Sequence, residues 1–221
     1  MQECGDLVLE LREKAARLAS GTQLWIGLAG APGSGKSTLA KMLKAQLGKL
    51  LVVIPQDGYH YYRSELDAMD NPSLAHIRRG APFTFNSKRL VNDLKKARIE
   101  GNGVFPSFDH CAGDPIEAEA HLYKSHRIVL VEGNYLLLDR EPWCQLHEKV
   151  FDETWFLNIP LQECEQRVKQ RHIELGMTEE QARLRVKTND ALNAELIAKV
   201  SPGNANRMIN IGKPTVVGLS T

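Results

Sequence analysis

Apolar residues change their spacing from one stretch of this chain to the next, and each change marks an element. Leu7, Leu11, Ala15 and Leu18 recur every three or four positions ahead of Gly21, which predicts an amphipathic helix stopped by the glycine. Residues 24–29 are apolar throughout, and the helical period then returns over about 36–47 until Gly48. The runs 50–54 and 128–131 are again short and unbroken, and 155–159 is apolar but for Asn158. Such strands lack the alternation of a half-wet sheet, as expected where helices cover both faces. A helix is predicted over 87–100, with Leu90, Val91, Leu94 and Ala97 on one side and Gly101 at its end. A long helix follows Pro160, another begins at Thr178 with Gln181 at capping-box spacing, and 207–211 is a short late strand. Strands separated by helices predict an α/β fold, a parallel sheet sandwiched between helical layers. Residues 56–86 and 102–125 are polar, aromatic and turn-rich, and they are expected to form a lid or cap over the strand ends.

Composition narrows this picture without redirecting it. A chain of 221 residues that is 43% hydrophobic buries roughly 70% of its unfolded surface as one domain, so 1–221 is expected to be a single domain that includes the cap segments. Its 28 basic and 27 acidic residues leave a net charge of +1, which gives no broad field for nucleic acid or an anionic membrane. Any anion must be caught locally. Cys4, Cys111, Cys144 and Cys164 are scattered, which is unlike a zinc site or a disulfide scaffold and fits reduced thiols. Acids among the first apolar residues argue against a targeting peptide, and no run reaches the ~18 apolar residues of a membrane span. A cytoplasmic protein is expected; the sequence leaves a homodimer open.

The candidate chemistry lies directly after the first apolar run. Gly30, Ala31, Pro32, Gly33, Ser34, Gly35, Lys36, Ser37 and Thr38 include the pattern GxxxxGK[ST], set between a predicted strand and a predicted helix as its mechanics require. Glycines allow successive N–H groups to turn inward onto phosphate oxygens, and the helix N-terminus adds partial positive charge. Lys36 would reach the β and γ phosphates of ATP, and the Ser37 hydroxyl would ligate Mg²⁺. A glycine-rich turn without function would match this pattern in roughly one chain in a hundred or fewer.

Ligands of open α/β sheets gather beyond the carboxyl ends of the strands. There the chain places Asp57, after the run 50–54, and Glu132, after 128–131. One carboxylate near a magnesium triphosphate can orient or deprotonate an acceptor hydroxyl while another holds the metal or its water shell. Simpler roles exist for both, since Asp-Gly is a common turn pair and Glu132 could be a solvated strand end.

At these residues the chain resembles the P-loop kinases that include uridine kinase and bacterial-type pantothenate kinase, above all the uridine kinase-like or fructose-transport-associated branch. The matching pieces are GAPGSGKST, DGYH, RRGAPFTF, FPSFDH, VLVEGNYLLL and CEQRVKQR, spread from about residue 24 to 206. The resemblance implies a P-loop NTPase three-layer sandwich and ATP-dependent phosphorylation of a small-molecule acceptor. It implies further that Asp57 is the base or acceptor-orienting acid, that Tyr59 and His60 border the acceptor pocket, and that Arg79 and His110 belong to that pocket. Glu132 would sit near the metal, Arg167 and Arg171 would be lid arginines on the transferring phosphoryl group, and Asn206 would contact adenine. Uridine kinases carry a double-acid segment with phenylalanine where this chain has Gln56, Asp57, Gly58 and Tyr59, whereas DGYH and the pair Asp109, His110 stand nearer the pantothenate kinase pattern.

A different class remains as the alternative: a nucleotide-dependent switch or binding module that hydrolyses slowly. The guanine-reading Asn-Lys-x-Asp segment of GTPase switches and the Ser-Gly-Gly signature of transport ATPases are both missing from the sequence. A P-loop retained for binding alone would be a third outcome.

Overall fold

The apolar run 24–29 becomes the middle strand of a parallel sheet, because every residue in it finds a buried neighbour on one face or the other. The computed structural model describes residues 2–109 and 112–210. In chain order the elements begin α1 (Gln2–Arg17), β1 (Leu24–Ala29), α2 (Lys36–Leu47), β2 (Leu51–Pro55), α3 (Arg63–Asp67), α4 (Pro72–Ile77), α5 (Ser87–Glu100). They continue with β3 (Gly103–Asp109), β4 (Asp114–Leu122), β5 (Ile128–Gly133), α6 (Cys144–Lys149) and β6 (Glu153–Leu157). Last come α7 (Leu161–Glu174), α8 (Glu179–Arg185), α9 (Ala191–Val200) and β7 (Arg207–Ile209). The five-stranded sheet has the order β2-β5-β1-β6-β7, and all its pairs are parallel.

Two clusters flank the sheet and divide each strand between them. Ile26 and Leu28 pack with Leu130, Trp155 and Leu157 against α1 and α2, whereas Trp25 and Ala29 pack with Val129, Val131 and Phe156 toward α5 and Leu136. This two-sided burial explains why the strands read as unbroken apolar runs.

The structure differs from expectation in three places. Residues 102–125 are not irregular: β3 and β4 form an antiparallel hairpin. The alternation Ile116, Glu117, Ala118, Glu119, Ala120, His121, Leu122 carries the strand period that signals it. Second, β6 starts at Glu153 rather than 155 and ends at Leu157. Its polar first residue is held by Lys14 Nζ at 2.5 Å and by Trp155 Nε1 at 2.9 Å, so a charged position opens a buried strand. Third, α8 runs through a π-helical turn, Val186–Asp190, into α9. The expected capping box does form, with Thr178 N donating to Gln181 Oε1 and Gln181 N to Thr178 Oγ1. Cys144 and Cys164 are free thiols; Cys111 and the side chain of Cys4 lie outside the described residues, as does Ile211 of the expected last strand.

Helix α1 is tied to the sheet by charge. Glu10 Oε1 accepts from Arg207 Nη1 at 2.6 Å and pairs with Lys14 at 2.9 Å. The Arg207 hydrogen bond holds the Glu10 carboxyl down at about 2, from 4.5. A depressed carboxylate contributes stability that is complete above the unfolded value and lost as pH falls through the folded one. We therefore expect Glu10→Gln to flatten the acid limb of stability between pH 4.5 and about 2 while changing neutral stability by no more than about 1 kcal/mol. Urea unfolding across that range measures it, and an unchanged acid limb would remove Glu10 from the effect.

Candidate active site

The chain leaves β1 through residues 30–35 and enters α2 at Lys36. Gly33 and Gly35 have φ of +80° and +98°, the left-handed region that side chains disfavour. Gly30 has another reason to be glycine: a Cβ there would lie 2.7 Å from Ser34 Oγ and 3.1 Å from the carbonyl of Leu157. The loop closes around Lys36, whose Nζ donates to the carbonyls of Gly30 at 2.9 Å and Ala31 at 3.0 Å. Burial pulls the Lys36 pKa down, while Glu132 and Asp57 act to raise it.

A cavity of about 650 Å³ opens over this loop. Residues 32–38 form one wall, Asp57, Glu132 and Asn134 another, and Arg167 and Arg171 a third. Gly30 and Ala31 do not line it; they contribute carbonyls beneath it.

The two carboxylates come from neighbouring strand ends. Pro55 of β2 and Leu28 of β1 both pair in register with Glu132 of β5, and Asp57 sits in the 3-10 turn directly after β2. Gln56 locks these ends together: its Oε1 accepts from the N–H of Tyr135 at 2.9 Å, and Gly133 packs against its side chain with no room for a Cβ. The Ser37 hydroxyl donates to Glu132 Oε1 at 2.8 Å. Burial, and then the Asp57 charge, push the Glu132 carboxyl above the usual carboxylate range.

Arg167 and Arg171 stand on α7 and both face the cavity. Arg167 Nη1 donates to the carbonyls of Gly33 and Ser34 at 3.3 and 3.4 Å, and Nη2 to Glu163 Oε1 at 2.5 Å.

The other expected site residues lie elsewhere. His60 and Arg79 occupy the hairpin side of Asp57, outside the cavity wall. The His60 ring is 3.9 Å from that of Phe85 and 4.7 Å from that of Phe108, with Nδ1 2.8 Å from the Asp57 carbonyl. Arg79 spans Phe108 and donates to Tyr61 O at 3.0 Å and Asp114 Oδ1 at 3.1 Å. Tyr59 corrects the expectation that it borders a pocket: it is 1% exposed within the core, and its hydroxyl donates to Asp93 Oδ2 at 3.0 Å. Asn206 is likewise not at the cavity. Its Oδ1 accepts from Thr154 N, and its own N–H donates to Thr154, beside Gly27 in the sheet and short of the strand ends. Asn206 is exposed there, away from the cavity wall that residues 32–38 form. His110 lies outside the described residues. Asn134 was not expected in the wall; its signal is its place two residues beyond Glu132, where the strand has just ended.

No family model matches the chain. A Schizosaccharomyces pombe protein provisionally named a uridine kinase is 40% identical over 202 residues, covering 86% of this chain and 85% of that protein. The ATP-dependent kinase YFH7 of Kluyveromyces lactis is 30% identical over 197 residues, covering 71% of this chain but only 56% of its own length. Among solved structures, a Silicibacter protein provisionally described as a fructose transport system kinase superposes with a TM-score of 0.80 at 31% identity, over 93% of this chain and 98% of that one. The 40% and 31% identities, each across most of both chains and on a shared fold with an intact phosphate loop, place this protein in the P-loop kinase family, among the uridine kinase-like kinases.

Proposed function

We propose that the protein transfers the γ-phosphoryl group of ATP to a hydroxyl of a small polar metabolite of the nucleoside, sugar or pantothenate kind. The observation that carries this reading is the meeting of an anion cradle, two arginines and two carboxylates on one cavity. Phosphoryl transfer needs little covalent help from the protein, so positioning and charge neutralisation supply most of the catalysis. Residues 30–38 would hold the triphosphate, with Lys36 exchanging its two carbonyl partners for the β and γ phosphates. Arg167 and Arg171 would gather the equatorial oxygens of the transferred group.

Ser37 and Glu132 fit Mg²⁺, because a hydroxyl and a carboxylate already 2.8 Å apart present hard oxygens on the cavity wall. No cluster of three or more metal-ligating side chains occurs among the described residues, which suits an ion held by one or two protein oxygens and the phosphates. When bound, that ion would neutralise charge between the β and γ phosphates. Asp57 would accept a hydrogen bond from the acceptor hydroxyl, aim it in line and take its proton as the new P–O bond forms and the bond from the γ-phosphorus to the β–γ bridging oxygen breaks, with ADP as the leaving group. The segments 56–86 and 102–125 would cap the acceptor side, with His60, Arg79 and His110 around the acceptor. No helix among the described residues is long and apolar enough to cross a membrane.

The test is ADP release from Mg·ATP against a panel of nucleosides, sugars, pantothenate and glycerate. Stimulation by one compound, with a phosphorylated product of matching mass, is expected. The same slow hydrolysis with every compound would favour a nucleotide switch instead.

A further inference from the structure

The helical arm that follows α7 carries buried polar residues with no role in the cavity. Asn189 and Asn193 are 1% and 2% exposed, and a buried amide is unfavourable unless its hydrogen bonds are made. Theirs are made to a distant turn. Asn189 Oδ1 accepts from Arg78 Nε at 3.0 Å, its Nδ2 donates to the Arg79 carbonyl at 2.9 Å, and Asn193 Oδ1 accepts from Arg78 Nη2 at 3.3 Å. Arg185 adds bonds from Nη1 to the Ile77 carbonyl at 2.7 Å and from Nη2 to the Arg79 carbonyl at 2.9 Å.

The neighbouring residue points the other way. Asp190 Oδ2 lies 2.9 Å from His172 Nε2, and His172 directly follows Arg171 on α7. Asn189 and Asp190 both belong to the π-helical turn Val186–Asp190, a wide turn that adds a residue to the helix and so re-aims its side chains. A chain of direct contacts thus runs from Arg171 through His172 and Asp190 to Asn189, and on to the turn that carries Arg79.

We infer that Asn189 is a positioning residue that couples the two halves of the site: phosphate held by Arg167 and Arg171 steadies α7, and the π-helical turn passes that order to residues 78–80. Arg79 is then fixed against the hairpin when nucleotide is in place. The inference rests on the proposed kinase function.

Hydrogen exchange of the full chain, with and without Mg²⁺ and a non-hydrolysable ATP analogue, tests it. In the unaltered protein the analogue should slow exchange in the phosphate loop and α7, and by at least about fivefold in the segment 78–84, where Ala81 N bonds to Arg78 O and Thr84 N to Ala81 O. Asn189→Ala should keep the first effect and lose the second. Because Asn189 is buried, Arg185→Ala serves as a second variant on a partly exposed residue, and it should weaken the slowing at 78–84 in the same sense. Undiminished slowing at 78–84 in a folded variant would overturn the coupling. So would its absence from the unaltered protein while the phosphate loop is protected. Protection nowhere would sink the kinase reading and the inference with it.

Discussion

Replacing Lys36 with alanine is expected to weaken Mg·ATP binding by about two orders of magnitude and to lower turnover by about three. The expectation follows from where the ammonium sits. It is 7% exposed, and burial already acts against its charge, so a phosphate arriving there meets a cation poorly screened by water. In the phosphate-free site the same ammonium is satisfied by the carbonyls of Gly30 and Ala31, so it is preorganised beside the cradle. Alanine leaves those two carbonyls to water and the triphosphate without its nearest buried cation. Calorimetric titration with Mg·ATP measures the first loss and coupled ADP release the second, with a melting curve to confirm folding. Affinity that survives the substitution would mean that the triphosphate does not lie on this loop.

Asp57→Asn should behave in the opposite way, leaving nucleotide affinity near its original value and lowering phosphotransfer by about two orders of magnitude or more. Asparagine matches aspartate in shape, so the turn after β2, held by Gln56 and by the approach of the hairpin, has no reason to move. What is lost is a charge that can receive a proton. The same substitution removes a charge that helps push the Glu132 carboxyl upward, and it also removes a negative charge from the cavity wall, so its two effects on a bound dication oppose each other. A single-turnover assay with the acceptor identified by the panel gives the answer. Full phosphotransfer by the variant would take Asp57 out of the chemistry.

The parts of the molecule that were legible in the sequence are those in which one local rule decides the outcome. The phosphate loop is such a case, because Gly33 and Gly35 must adopt positive φ and Lys36 must follow at a fixed offset. So are β1, β2 and β5, where burial on both faces forces an apolar run. Legibility fails where a residue serves a partner far along the chain. Tyr59 reads as an aromatic near a pocket, yet Asp93 on α5 draws it into the core. Asn206 reads as a purine contact, yet its Oδ1 accepts from the backbone of Thr154, away from the cavity wall. Asn189 and Asn193 look like solvated helix positions until Arg78, more than a hundred residues earlier, supplies their bonds. The two arginines of RRG are indistinguishable as letters, and their division of labour comes from tertiary packing: Arg78 turns to the π-helical arm and Arg79 to the hairpin.

The hairpin also explains Gly58, which has no positive φ. A Cβ at Gly58 would run into the carbonyl of Pro106, at the bulge between Phe105 and Ser107, so main chain meets main chain one residue from Asp57. Side chains projecting from β4, such as Ile116 and Glu119, take no part in that junction. Exchanges among those side chains would therefore leave the backbone junction that fixes the position of Asp57 undisturbed.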